Sequence, residues 1–333
     1  MVTEHYCETD RHKTFYLADG PSDGPLIVFV HGWPELSFSW RHQLPFFASL
    51  GYRAIAPDMR GYGRSSVYPE IADYRLEEST ADMRELLEHL GAEEAIWVGH
   101  DWGAPVVWAL AQQAPNRCKA VASLCVPYLP EGLELDVLAS LVNREMYPKE
   151  AFPYGQWEYV KFYEEAFDAV ENAFAADASA TVRALFRAGD PKAVGQPAPT
   201  AFVRKMGGWF GGAPAPSLPR DERVLSVEAE EIYANALATA GFDGPGKWYL
   251  NGAANMAFAK TVEAQWRLTM PTLFLHAKYD SICDTLNSDL AEPMRQWCDD
   301  LSEGTLETGH WMAQEKPDAV NDALHKWITD RVG

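Results

Sequence analysis

One stretch constrains this chain more than any other: Val98-Gly99-His100-Asp101-Trp102-Gly103-Ala104. The apolar run Ala95-Ile96-Trp97-Val98 before it reads as a buried strand, and Val106, Val107, Ala109 and Leu110 after it follow a helical pattern. An acid flanked by glycines two residues away on each side is the sequence form of a nucleophile elbow, a sharp strand-to-helix turn. Small residues are required there because the turn brings backbone segments close together. Asp101 stands where serine is usual. It is expected above the sheet, at the start of a helix whose free N–H groups favour negative charge.

The rest of the chain alternates in the way that elbow needs. Lys13 to Leu17 is the clearest part of an opening strand or hairpin. Leu26-Ile27-Val28-Phe29-Val30 is a continuous apolar run, the pattern of a parallel strand covered on both faces. Trp40 to Leu50 reads as a helix, Arg53 to Pro57 as a strand, Leu76 to Leu90 as an amphipathic helix, and Ala120 to Cys125 as one more strand. Strands and helices alternating at this spacing predict an α/β fold with a mostly parallel sheet. The texture changes after Pro127: long helical patterns at Glu158 to Phe174 and Ser179 to Phe186 are interrupted by a Gly-, Pro- and Ala-rich stretch from Gly189 to Pro219. Strand signals return at Pro271 to His276 and Gly304 to Leu306, and Pro317 to Thr329 closes the chain as a helix. The expected organisation is a core of residues 1–127 and 256–333, with residues 128–255 inserted as a helical cap.

Composition narrows the function classes. The 333 residues carry a formal charge of -20, which argues against nucleic acid and anionic membrane as partners. No apolar run approaches membrane-spanning length, and Met1 to His5 lacks a basic region followed by an apolar stretch, so the chain is expected in the cytoplasm. The five cysteines, Cys7, Cys118, Cys125, Cys283 and Cys298, are odd in number and form no CxxC pair; they are read as reduced thiols. Gly61 to Gly63 has the wrong spacing for a dinucleotide loop. His276, Asp280 and Asp284 share a four-residue spacing but straddle a strand end and a loop, which makes a rigid metal site a poor expectation. Neither a metal nor a cofactor is called for.

A catalytic set in this fold runs nucleophile, acid, histidine in chain order. Asp101 is the first, Asp280 follows the Pro271 strand, and His310 follows the last strand in Glu307-Thr308-Gly309-His310-Trp311. Open α/β sheets place their ligands at such strand ends. Taken singly, Asp280 reads equally as a loop acid and His310 as a structural histidine; elbow and order together favour the triad. A carboxylate nucleophile opens a strained or activated carbon centre and leaves an alkyl ester. His310, oriented by Asp280, would then activate water toward the ester carbonyl. The developing oxyanion needs aimed donors, and the backbone N–H groups of Trp33 and Trp102 are the candidates.

On these residues the chain resembles an epoxide hydrolase of the α/β-hydrolase superfamily. His31-Gly32-Trp33-Pro34-Glu35 is similar to that family's HGxP motif, Gly99 to Gly103 to its aspartate elbow, and Gly309-His310-Trp311 to its histidine region. Asp58 to Ser65 resembles a family loop of structural role. The resemblance is weakest over residues 188–225. It implies two cap tyrosines donating to the epoxide oxygen, which map onto Tyr159 and Tyr249, with Tyr154 and Tyr163 close enough to Tyr159 to compete for the first place. It also implies a small apolar epoxide and water as reactants. Trp33, Trp102, Phe38 and Trp311 are candidates to line an apolar pocket, and some of them read equally as core. A homo-oligomer is left open. A haloalkane dehalogenase, with the same triad, and a non-catalytic binding protein on the same fold are the alternatives; a carboxylesterase would want serine at position 101.

Overall fold

The continuous apolar runs become strands because both faces of each are covered. In the computed structural model, which describes residues 1–262, 264 and 266–333, every residue of Leu26–Val30 and of Ala95–His100 is buried. The strands are β1 (Thr3–Glu8), β2 (Lys13–Asp19), β3 (Leu26–Val30), β4 (Arg53–Pro57), β5 (Ala95–His100), β6 (Cys118–Leu124), β7 (Thr272–Ala277) and β8 (Leu301–Leu306). They form one sheet in the order β1-β2-β4-β3-β5-β6-β7-β8. β1 and β2 form an antiparallel hairpin and β2 pairs antiparallel with β4; every other pairing is parallel.

Parallel pairing delivers the C-terminal ends of β3 to β8 to one edge, and the register sets which loops meet there. Val30 of β3 lies opposite Gly99 of β5, so the turn after Val30 runs beside Asp101. Ala277 of β7 lies opposite Leu306 of β8, so Asp280 and His310, a few residues on, leave the sheet side by side.

Between β6 and β7 lies a large helical insertion. Its longest helix, Glu158–Ala175, buries Tyr159, Phe162, Tyr163, Val170 and Phe174 on one face and changes direction at Ala166. Ala178–Leu185 follows, capped by the Asp177 carboxylate on the Ala180 amide, and Val227–Ala240 is capped by Ser226 on the Ala229 amide. The stretch from Gly189 to Pro219 is not extended: short 3₁₀ turns fold Pro191–Ala193, Pro199–Phe202 and Trp209–Gly212 over the site. The helix Gly252–Lys260 returns to the core, where Asn255 accepts the Leu76 amide and Phe258 O accepts from Gln113. The five cysteines are free and buried. Among the described residues, no helix is long and apolar enough to cross a membrane.

Candidate active site

Asp101 occupies the turn between β5 and the helix Gly103–Gln113 with a φ of 49°, in the left-handed region. The turn is tight enough to exclude side chains at its flanks. A methyl on Gly99 would lie 2.6 Å from Gly103 O, and one on Gly103 would lie 2.1 Å from Val30 O.

Both Asp101 oxygens are engaged. Oδ1 accepts the Trp33 backbone N–H at 2.6 Å, and Oδ2 faces His310 Nε2 at 3.2 Å. The Trp102 amide is next to the same Oδ1: a methyl on Gly32 would lie 2.3 Å from Asp101 Oδ1 and 2.4 Å from Trp102 N. His310 Nδ1 donates to Asp280 Oδ2 at 2.6 Å. Asp280 Oδ1 in turn accepts the amides of Ile282 and Cys283, each at 3.0 Å. Burial works against a charged His310 ring, but the Asp280 charge and hydrogen bonds to both carboxylates outweigh it and raise its pKa well above the usual histidine range. Burial of Asp280 is likewise outweighed by His310, which lowers its pKa.

Tyr159 and Tyr249 stand over this group with ring centroids 5.7 Å apart, and both line each of the two cavities that meet at Asp101. Burial pushes both phenols well above the ordinary tyrosine value, so they stay protonated as donors. Tyr163 is set back: it stacks on Tyr249 at 4.5 Å and its hydroxyl is buried without a partner. Tyr154 is half-buried near the charges of Arg204 and Lys161. One cavity is narrow and walled by apolar side chains including Trp102, Leu129, Leu133, Leu138 and Trp157. The other is wider and takes in Trp33, Trp311, Arg187, Asp280 and His310. Phe38 takes the core reading: it packs edge-on against Tyr233, with centroids 5.9 Å apart, and lines neither cavity.

A buried ion pair under the site had no signal in the spacing. His100 Nδ1 meets Glu35 Oε2 at 2.7 Å and its Nε2 meets the His310 carbonyl at 2.8 Å. Both partners only accept, so the ring carries protons on both nitrogens. Burial opposes that charge; Glu35 overrides it and raises the His100 pKa well above the usual range. Burial would raise Glu35 too, yet His100 holds it down at about 2. Glu35 also accepts the Gly32 amide at 3.0 Å and Gln314 Nε2 at 3.1 Å, tying the Trp33 loop to the His310 turn.

The spacing of His276, Asp280 and Asp284 brings no common centre. His276 bonds Thr285 and Glu303, while Asp284 accepts the amides of Leu286 and Asn287. Two trios, His100/Cys125/His310 and Asp280/Cys283/His310, bring donor atoms within 4.8 Å of one another. In both, the His310 ring nitrogens are already committed to the two carboxylates.

An aspartate elbow on a mostly parallel sheet, faced by an acid–histidine pair under a helical cap, defines a hydrolase of the α/β class. The chain belongs to the α/β-hydrolase fold family, matching it over residues 25–317. Within that family it is similar to epoxide hydrolases. It is 32% identical to epoxide hydrolase A of Mycobacterium tuberculosis, over 98% of this chain and 97% of that one. It is 33% identical to bifunctional epoxide hydrolase 2 of Sus scrofa, over 92% of this chain but 51% of the pig protein, so it spans about half the length of that relative. The crystal structure of epoxide hydrolase A from Mycobacterium thermoresistibile superimposes with a TM-score of 0.82 at 31% identity, covering 99% of this chain and 98% of that one.

Proposed function

We propose that this protein is an epoxide hydrolase, converting a small apolar epoxide and water to a vicinal diol through an ester on Asp101. Residues 128–255 act as the cap and the remainder as the core. The observation that carries the reading is the pair of protonated phenols, Tyr159 and Tyr249, lining the cavities above a carboxylate already paired with His310.

Asp101 Oδ2 attacks one epoxide carbon. The C–O bond breaks, and the departing oxygen takes a proton from a cap tyrosine, leaving a hydroxyalkyl ester. Before this step His310 sits between two carboxylates. Esterification makes one of them neutral, so the ring becomes less basic and its proton passes to the tyrosinate, which leaves His310 a neutral base and the phenol restored. His310 then takes a proton from water as the water oxygen adds to the ester carbonyl carbon. The charge that develops falls on Oδ1, where the Trp33 amide already lies at 2.6 Å and the Trp102 amide is adjacent. Collapse expels the diol oxygen, which takes a proton from His310, and the proton left on the new Asp101 carboxyl then passes to His310, restoring the charged ring between two carboxylates.

Ester cleavage at the carbonyl predicts where oxygen goes. A single turnover in heavy-oxygen water is expected to label the Asp101 side chain. His310→Gln is expected to accumulate an adduct whose mass gain equals the whole epoxide, and Asp101→Ala none. Label confined to the diol would mean direct attack by water and end the ester mechanism. The dehalogenase reading keeps one observation in its favour, the Trp33 indole N–H buried without a partner. Rapid halide release from 1-bromobutane, with styrene oxide left unopened, would favour it.

A further inference from the structure

One carboxylate of the core ties the turn that carries His310 to the cap. Glu315 Oε2 accepts the backbone N–H of Gly309 at 2.8 Å and that of Gly189 at 3.0 Å. Gly309 immediately precedes His310. Gly189 belongs to the cap segment 184–190, which forms one wall of the wide cavity. The two glycine backbones touch: a methyl on Gly189 would lie 2.4 Å from Gly309 N, and one on Gly309 would lie 2.6 Å from Gly189 N. With no side chain between them, one oxygen reaches both amides. The same segment is fastened a second time, by Trp311 Nε1 donating to Leu185 O at 2.8 Å and by Trp311 stacked on Phe186 at 4.3 Å. Hydrogen bonds to an ionised acceptor are about twice as strong as neutral ones.

We propose that Glu315 is a positioning residue that couples the seating of cap segment 184–190 to the placement of His310. Pressure on the cavity wall from an occupant is thereby felt at the histidine. The kinetic consequence rests on the epoxide-hydrolase reading; the structural one does not. His310 must hold Asp280 on one nitrogen and present the other to the ester, and a misplacement of about 1 Å costs roughly 100-fold in such a geometry. The formation of the ester relies on Asp101 and the cap tyrosines and is less exposed to that error.

Glu315→Ala removes both hydrogen bonds, whereas Glu315→Gln keeps an acceptor oxygen at the same reach and serves as the conservative rescue. The first readout needs no substrate: the low-field proton NMR signal of His310 Nδ1–H, assigned by its disappearance in His310→Gln. It is expected to stay sharp in the parent and in Glu315→Gln, and to broaden through exchange with water in Glu315→Ala. The second is rapid-quench kinetics with styrene oxide. Ester hydrolysis is expected to slow about 100-fold in Glu315→Ala, with ester formation nearly unchanged and the adduct accumulating. Gly189→Ala leaves Glu315 in place, pries the two backbones apart, and is expected to give the same pair of effects; it answers the question even where Glu315→Ala does not fold. An unchanged proton signal and unchanged ester hydrolysis in both variants would overturn the proposal. So would equal slowing of both steps with no recovery in Glu315→Gln, which would mark a purely structural role. A parent that forms no ester at all would remove the epoxide-hydrolase reading and leave the proton signal to decide the coupling.

Discussion

Asp101 holds a backbone conformation that costs a non-glycine residue roughly 1–2 kcal/mol, and the hydrogen bond from the Trp33 amide to its Oδ1 fixes the side chain there. What the residue lacks is any way to stabilise a leaving oxygen, which in the proposed reaction falls to the phenols overhead. Removing one donor from an oxygen that is gaining charge typically costs about 3 kcal/mol, or roughly 100-fold in rate. Tyr159→Phe and Tyr249→Phe are each expected to slow alkylation by styrene oxide by about that factor, and the double variant to be nearly inactive, with circular dichroism unchanged. Pre-steady-state quench of the ester measures this directly, and indifference to both changes would remove the tyrosines from the mechanism. The positions of Asp101, Asp280, His310, Tyr159 and Tyr249 were legible because motif, chain order and resemblance each point at a residue. The Glu35–His100 pair was not: its partners are 65 residues apart, and each lies in a stretch singled out for other residues, with nothing in the spacing to join them. Glu315 was hidden for a similar reason, since its partners are backbone amides, which leave no trace in side-chain identity.

Elements that bury two faces announced themselves; elements stabilised by polar contacts did not. Leu26–Val30 and Arg53–Pro57 have the expected ends; β8 contains the expected Gly304–Leu306 stretch but reaches back to Leu301, because its Leu-Ser-Glu-Gly start has no apolar run. The expected helix from Trp40 is split, with a 3₁₀ turn over Ser37–Trp40 and a helix only over Gln43–Ser49. The loop after β4 was read as structural, and its contacts explain why. Asp58 accepts the amides of Ser37 and Arg64, and Arg60 forms a two-pronged bond with Asp82, at 2.7 and 2.8 Å, on the helix Leu76–His89. Arg60 and Asp82 are both almost wholly buried, so removing the cation strands a desolvated carboxylate with Arg11 and the neutral His12 ring as its remaining close partners. Breaking a buried pair in this way costs about 3 kcal/mol or more. Arg60→Met is expected to lower the urea midpoint accordingly, while the folded fraction keeps its rate of ester formation; an unchanged midpoint would show that Arg11 alone satisfies Asp82.

At the scale of the whole molecule, an excess of 20 acidic over basic residues makes the response to pH depend on which carboxyls are buried. Most acids sit in water or against a cation, but Glu171 on the Glu158–Ala175 cap helix does neither fully. It is half-buried, with Oε1 enclosed and lacking a hydrogen-bond partner. Burial, reinforced by the charges of Asp243 and Asp168, pushes its pKa from an ordinary 4.5 up to about 8. Lys247 opposes the shift, but its ammonium is already bonded to Asp243 and to the Pro69 carbonyl. The unfolded chain releases this proton near the ordinary glutamate value. Between that value and about 8 the folded protein therefore binds one proton more than the unfolded one, and stability falls as pH rises through the window. Glu171→Gln replaces the carboxyl with a neutral group of the same shape and cancels that slope. Parent and variant are expected to unfold at nearly equal urea concentrations at about pH 5, where Glu171 is already largely protonated in the folded state, and to diverge in favour of the variant at about pH 9. Parallel loss of stability in the two proteins across that range would place the slope in the overall acidic charge, and Glu171 would carry none of it.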